Sequence, residues 1–267
     1  MTRVVVCGVA GRMGQRLANL IIASPDLELA GATEQPGHEA IGVDAGALAG
    51  GRHLGVTVEA DLAEVVGRAD AVICFTTPAA TLGAAAVCAA ARTPMVVGTT
   101  GLTESELAEF RRLVAPIACV FAPNFSTAMN LLFRLVEEAA RILGDDYDVE
   151  IVEAHHRLKV DAPSGTALRL AERVAQGLSR DLKEVAVHGR HGLVGARTRP
   201  EIGMHAVRLG DLVGEHTVMF GAPGEYLELK HHATSRDAFA AGALRAARFA
   251  AAAAPGIYDM GDVLGIS

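Results

Sequence analysis

The apolar positions of this chain fall into two kinds of run. From Arg3 to Cys7, Glu28 to Thr33, Ala71 to Thr76, Met95 to Val97 and Ala118 to Phe121 they are mostly continuous, the pattern of strands in a parallel sheet buried on both faces. Between them, Arg12 to Ala23, Thr81 to Ala91 and Glu104 to Val114 read as helices, and Thr103 with Glu106 gives the last a capping-box start. Strands alternating with helices predict a doubly wound α/β domain of Rossmann type.

After Asn124 the pattern changes. A helix is expected from about Thr127 to Leu143, then a strand ending at His155 and His156, a helix from Thr166 to Leu178, and several strand-like segments with few helices between them. Glu225 to His231 alternates polar and apolar residues, as a half-solvated antiparallel strand does. This second region reads as an α+β domain. Arg236 to Ala254 is strongly helical and Ala-rich, which suits a packed helix better than a low-complexity tail.

Composition narrows the class. With 267 residues, 51% of them hydrophobic, the chain is long enough for one large or two modest cores and too apolar to be disordered. Its apolar runs fall short of the ~20 residues that span a membrane, and Met1-Thr2-Arg3 passes straight into the first strand, so a cytoplasmic protein with no membrane partner is expected. A net charge of −7 argues against a nucleic-acid partner and leaves any anionic ligand to a local basic pocket. Cys7, Cys74, Cys88 and Cys119 form no Cys-x-x-Cys pair and read as reduced core residues.

Two segments carry chemistry. Gly8-Val-Ala-Gly11-Arg-Met-Gly14 follows the first strand and opens a helix, where a dinucleotide pyrophosphate is held by backbone amides. Glu34, about 20 residues on at the end of the second strand, suits the adenosine ribose. The residues after it, Gln35, Pro36, Gly37 and His38, offer no Arg or Lys for a 2′-phosphate, which favours NADH, while Arg12 in the turn keeps NADPH open. Gly98-Thr-Thr-Gly101 and Ala122-Pro-Asn-Phe-Ser126 end later strands, where such sheets place ligand loops; each also reads as a plain structural turn.

The second segment is Glu153-Ala-His-His-Arg-Leu-Lys-Val-Asp-Ala-Pro-Ser-Gly-Thr166. Side chains alternate along a strand, so His155 and His156 serve one pocket only if the strand ends there. Ser164 or Thr166 then starts a helix whose free amides favour a carboxylate, with His155, His156 and Lys159 as donors around it. Such a site suits a small dianion. Adjacent histidines without a cysteine partner are poor metal ligands, Ser164 lacks a nucleophile elbow, and a solvated basic loop is the bland alternative. His188, His191, His216, His231 and His232 stand without such company and read as structural.

These segments, together with Arg208-Leu-Gly-Asp-Leu-Val-Gly-Glu-His-Thr217 and Tyr258-Asp-Met-Gly-Asp-Val-Leu264, resemble the dihydrodipicolinate reductase family in order and spacing over almost the whole chain. The resemblance implies an NADH- or NADPH-dependent enzyme of the diaminopimelate and lysine pathway, which reduces the cyclic dicarboxylate made from pyruvate and aspartate semialdehyde. It implies His155 as proton donor and acceptor, Lys159 as a second acid, and His156, Gly165 and Thr166 as holders of the substrate carboxylate. Cofactor contacts would fall on Gly8, Val9, Ala10, Gly11, Arg12, Met13, Glu34, Gly98, Thr99, Thr100, Ala122, Pro123, Asn124 and Phe125. The family resemblance further implies a homotetramer and a C-terminal helix that returns to the nucleotide domain. Residues 1–126 plus 236–267 would then bind the dinucleotide, and 127–235 the substrate and the other subunits. Gln35 stands where some members carry Arg, which implies NADH or dual use, and Pro123 replaces an alanine conservatively. Two other readings compete: a related Rossmann amino-acid dehydrogenase, told apart by activity on an amino acid, and a non-catalytic dinucleotide sensor, told apart by tight NADH binding without turnover.

Overall fold

A computed structural model describes residues 1–266 of the chain. In chain order the elements begin β1 (Thr2–Cys7), α1 (Arg12–Ala23), β2 (Leu27–Thr33), α2 (Ala45–Leu48), β3 (Val58–Glu59), β4 (Ala71–Cys74), α3 (Pro78–Ala91), β5 (Met95–Val97), α4 (Glu104–Val114) and β6 (Ala118–Phe121). They continue with α5 (Thr127–Leu143), β7 (Asp148–His155), α6 (Gly165–Gly177), α7 (Leu182–Val185), β8 (Ala186–His188), β9 (Ile202–Arg208), β10 (Gly214–Ala222) and β11 (Glu225–Ala233). The chain closes with α8 (Asp237–Ala252), β12 (Gly256–Tyr258) and α9 (Met260–Leu264).

Met1–Thr127 and the stretch from Arg236 onward form one compact unit, and Ala128–Ser235 a second. The first unit holds a parallel sheet in the order β12-β6-β5-β4-β1-β2-β3. Its central strands carry continuous apolar runs because both faces are covered: Val4, Val5 and Val6 are all fully buried. On one face Leu17 and Ile21 of α1 meet Ala243, Ala246 and Ala247 of α8, and on the other Ala85 and Cys88 of α3 meet Phe110 and Val114 of α4. The alanines of α8 let that helix approach closely; a methyl on Gly242 would lie 1.7 Å from the Phe125 carbonyl oxygen.

Most boundaries lie within a residue or two of those expected, and two helix starts differ for local reasons. Helix α3 starts at Pro78, because Thr77 caps it by accepting from Ala80 N and proline suits a first helical position. Helix α6 starts at Gly165, capped by Ser164.

The second unit holds a mixed sheet in the order β11-β10-β7-β9-β8, antiparallel across β11-β10-β7 and parallel across β7-β9-β8. Helices α5 and α6 cover one face through Met129, Val136, Leu170 and Val174, against Val149, Ile151, Ile202, Met204, Val218 and Phe220. Among the described residues strand β11 pairs only with β10, so it is more exposed than its alternation implies: Tyr226 is 71% and Leu227 41% accessible. No helix among the described residues is long and apolar enough to cross a membrane.

Candidate active site

In the first unit the strand order reverses between β1 and β4, the point at which open α/β sheets bind ligands beyond the strand ends. A cavity of about 740 Å³ opens there, with Gly8, Ala10, Gly11, Glu34, Gln35 and Thr76 in its wall. Gly8 has φ +69°, and a methyl on Gly14 would sit 2.1 Å from the Gly8 carbonyl oxygen, so both positions demand glycine. Glu34 closes the rim, its carboxylate accepting from Ala10 N and from Gln35 N at 3.0 Å each.

Of the fourteen expected cofactor residues, the cavity gathers Gly8, Ala10, Gly11 and Glu34. Val9, Ala122 and Phe125 are core residues, Phe125 lying against Phe75 with centroids 5.3 Å apart. Met13 packs on the same core, and Gly98 gives room to the Phe75 ring. Thr99 is buried, its hydroxyl accepting from Thr76 N at 3.2 Å and bonding the Thr81 hydroxyl at 2.7 Å. Asn124 Oδ1 accepts from Ser126 N at 2.8 Å, while Arg12, Thr100 and Pro123 are exposed. The far wall, Asp61, Leu62, Ala80, Gly83, Ala84 and Val87, has no signature in spacing and went unread in the sequence.

In the second unit β7 does end at His155, and the period of two puts Val149, Ile151, Glu153 and His155 on the face that α6 covers. Register brings in two more strands. Arg208 of β9 pairs with His155, and His216 of β10 pairs with Glu153. Glu153, 1% exposed, accepts from Arg208 Nη1 at 2.8 Å and Nη2 at 2.9 Å and from Ser164 N at 3.1 Å, and it bonds His155 Nδ1 at 2.6 Å. Burial alone would raise the Glu153 pKa; the bonds from Arg208 and His155 outweigh it and hold the carboxylate below its ordinary range.

Burial lowers the His155 pKa, and Glu153 only partly opposes this. His216 lies edge-on to His155 at 5.2 Å, its Nε2 3.2 Å from the Ser164 hydroxyl, and burial with the neighbouring His155 brings it down to about 3. It belongs to the histidine cluster and does not stand apart from it. His155 Nε2 makes no hydrogen bond among the described residues, and a methyl built on Gly214 would come within 3.1 Å of it.

Beyond the strand end, Lys159 Nζ pairs with Asp161 at 2.8 Å, and His156 Nδ1 is buried without a hydrogen-bond partner among the described residues. Gly165 is exposed at the first turn of α6, with open space where a side chain would be. Glu153, Arg208 and His216 escaped the sequence reading as site members. The only signal was the run Arg208 to Thr217, whose pairing depends on register. No group of three or more His, Cys, Asp or Glu among the described residues is placed to hold a metal ion.

Comparisons with known proteins cover the chain end to end. Residues 2–125 match the family model "Dihydrodipicolinate reductase, N-terminus" and residues 128–264 its C-terminal counterpart. The 4-hydroxy-tetrahydrodipicolinate reductase of Alkalilimnicola ehrlichii is 51% identical over 265 residues, 99% of each chain. That of Desulfotalea psychrophila is 50% identical over 266 residues, 100% of this chain and 99% of its own. Among solved structures, a dipicolinate-bound dihydrodipicolinate reductase from Paenisporosarcina sp. TG-14 superposes with a TM-score of 0.76 at 25% identity, covering 97% of each chain.

Proposed function

The chain belongs to the dihydrodipicolinate reductase family, and from that premise we propose that His155 and Lys159 carry the proton chemistry of the reaction. The enzyme is an NAD(P)H-dependent oxidoreductase of lysine and diaminopimelate biosynthesis that reduces 4-hydroxy-tetrahydrodipicolinate. The observation that carries the assignment of residues is His155 itself: anchored at Nδ1, open at Nε2, at the end of a strand beside the amino end of α6. Amides of Gly165 and Thr166, with His156, receive a substrate carboxylate there, because the helix end favours negative charge. Lys159 exchanges its partner Asp161 for the dianion. His155 holds a proton at Nε2 and delivers it to the substrate ring where charge develops.

Support for a dinucleotide in the first unit comes from the glycine turn, which has no room for side chains at 8 and 14 and opens α1 beside the cavity, and from Glu34 in the cavity wall, the residue we assign to the ribose hydroxyls. When bound, the reduced nicotinamide supplies the hydride. Gln35, Pro36 and His38 line the cavity beside Glu34 with no Arg or Lys in its wall, which supports NADH or dual use over a strict NADPH preference. Thr99, Thr100, Asn124 and Phe125 belong to loops at the ends of β5 and β6 and complete the assignment.

Self-assembly into a tetramer fits the face of the second sheet turned away from α5 and α6, where Tyr226 and Val207 lie exposed. Four buried free thiols suit a reducing compartment, the cytoplasm. The direct test follows reduced-nicotinamide absorbance with substrate generated in place from pyruvate and aspartate semialdehyde, in parallel with NADH and NADPH. Substrate-dependent oxidation by wild type, lost in His155→Ala, is the expected result; full turnover in His155→Ala removes His155 from the proton role.

A further inference from the structure

The hydrogen bonds around Glu153 go further than holding one side chain. A carboxylate that is 1% exposed is costly to leave charged, yet this one takes both prongs of the Arg208 guanidinium, the Ser164 amide and the His155 ring. Arg208 is itself fixed, donating to the carbonyls of Asp161 at 2.6 Å and Val207 at 2.7 Å. One carboxylate thus joins the proton-carrying ring to the first turn of the helix that receives the substrate carboxylate. Since Glu153 is held ionised, it accepts from His155, which requires the hydrogen on Nδ1.

We infer that Glu153, clamped by Arg208, is the positioning residue of this site: it keeps His155 protonated at Nδ1, so that Nε2 alone exchanges the proton with substrate, and it sets the amino end of α6 at a fixed place beside that ring. This rests on the assignment of His155 as proton donor. Glu153 acts only through its neighbours, since its two oxygens are already committed to them.

A glutamine at 153 still accepts from Arg208 and Ser164 through one oxygen but offers an amide N–H to Nδ1. The ring then carries its hydrogen on Nε2 when neutral, the wrong place for taking up a proton there. Glu153→Gln should therefore lower kcat by about 10²- to 10⁴-fold with NADH affinity unchanged. A pH profile separates positioning from a merely structural role. The charges facing His155 are Glu153 from β7, Arg208 from β9, the neutral His216 from β10 and Lys159, paired with Asp161, from the loop. Of these only Glu153 favours the protonated ring. Activity that needs protonated His155 is present below its pKa and lost above it, so Glu153→Gln should move the alkaline limb to lower pH.

The experiment combines three readouts on the full-length protein. Ring-nitrogen NMR of 15N-histidine-labelled wild type, with His155 assigned by its loss in His155→Ala, should show Nδ1–H at neutral pH. Gly214→Ala, which leaves Glu153 untouched and adds a methyl about 3.1 Å from Nε2, should keep that signature and lose turnover. Glu153→Gln should lose both turnover and signature. An Nε2–H ring in wild type, or full turnover with an unmoved alkaline limb in Glu153→Gln, overturns the inference. If His155→Ala retains turnover, it is the underlying assignment that fails. If Glu153→Gln does not fold, the wild-type spectrum and Gly214→Ala still decide.

Discussion

Around the cavity of the first unit stand the glycine turn, scattered polar side chains such as Gln35, Asp61 and Thr76, and the half-buried carboxylate of Glu34, whereas around His155 in the second unit the polar side chains are tied to one carboxylate that is 1% exposed and takes part in four hydrogen bonds. The first arrangement depends on atoms being absent: glycine at 8 and 14 is what lets the chain turn. The second depends on charges being present in balance, because Glu153 stays ionised only while Arg208 and His155 face it. The difference predicts distinct sensitivities, with the glycine turn of the first unit harmed by added atoms and the Glu153 network of the second by removed charges.

Removing chemistry from the second unit should have the largest effect. His155→Ala and Lys159→Ala are each expected to lower kcat by about 10²- to 10⁴-fold, read from steady-state rates, while NADH affinity from fluorescence titration stays near wild type. A comparable loss of NADH binding would erase the contrast between the units. Adding one methyl to the first unit comes next. In Gly14→Ala the new carbon meets the backbone of Gly8 and Val9, which has nowhere to move, so a cost of about 1–3 kcal/mol in urea unfolding is expected, together with weakened dinucleotide binding. Gly165→Ala serves as its counterpart, since nothing lies within 4 Å of the added methyl, and its stability should match wild type.

Smaller again is the effect at Glu34. Loss of a charge-assisted bond to ribose costs about 1.5 kcal/mol or more, so Glu34→Ala should weaken NADH roughly tenfold, and NADPH by less. Equal losses for both cofactors would take the ribose role from Glu34 and leave it as a brace for the turn through Ala10 N.

How much of this could be read from the chain follows the same division. The β1 strand, the turn and α1 were legible because a continuous apolar run, three glycines and a helical period are all local. The capping box of Thr103 and Glu106 stands as its spacing implied. Strands β3 and β12, two and three residues long, carry no period that a sequence reading can detect, though β12 extends the sheet beyond β6. In the histidine site, residues 155 to 166 are contiguous and legible as a group, while Glu153 stands in the same run with nothing local to mark its role. Arg208 and His216 arrive from strands more than 50 residues away, placed by a parallel register on one side of β7 and an antiparallel one on the other. Register follows from packing across the whole sheet, and a shift of one residue would turn both side chains away from Glu153.

Glu150, three residues before Glu153 and so on the opposite face of β7, sharpens the comparison at its weakest point. It too is a gripped carboxylate, bonded by Arg190, Arg197 and His205 at 2.7 to 3.1 Å, but no part of the proposed chemistry touches it. Burial alone would raise its pKa, and the bonds from Arg190, His205 and Arg197 outweigh burial and bring it down to about 2. A depressed carboxylate adds stability that is complete above its unfolded pKa of about 4.3 and disappears as pH falls through the folded value. Wild type should therefore lose thermal stability between about pH 4.5 and 2 through this group, and Glu150→Gln, less stable at neutral pH, should converge on wild type near the lower end. Its turnover at neutral pH should stay close to wild type. If Glu150→Gln instead loses turnover as Glu153→Gln does, gripped carboxylates on this strand serve catalysis through general rigidity, and the special standing given to Glu153 is gone.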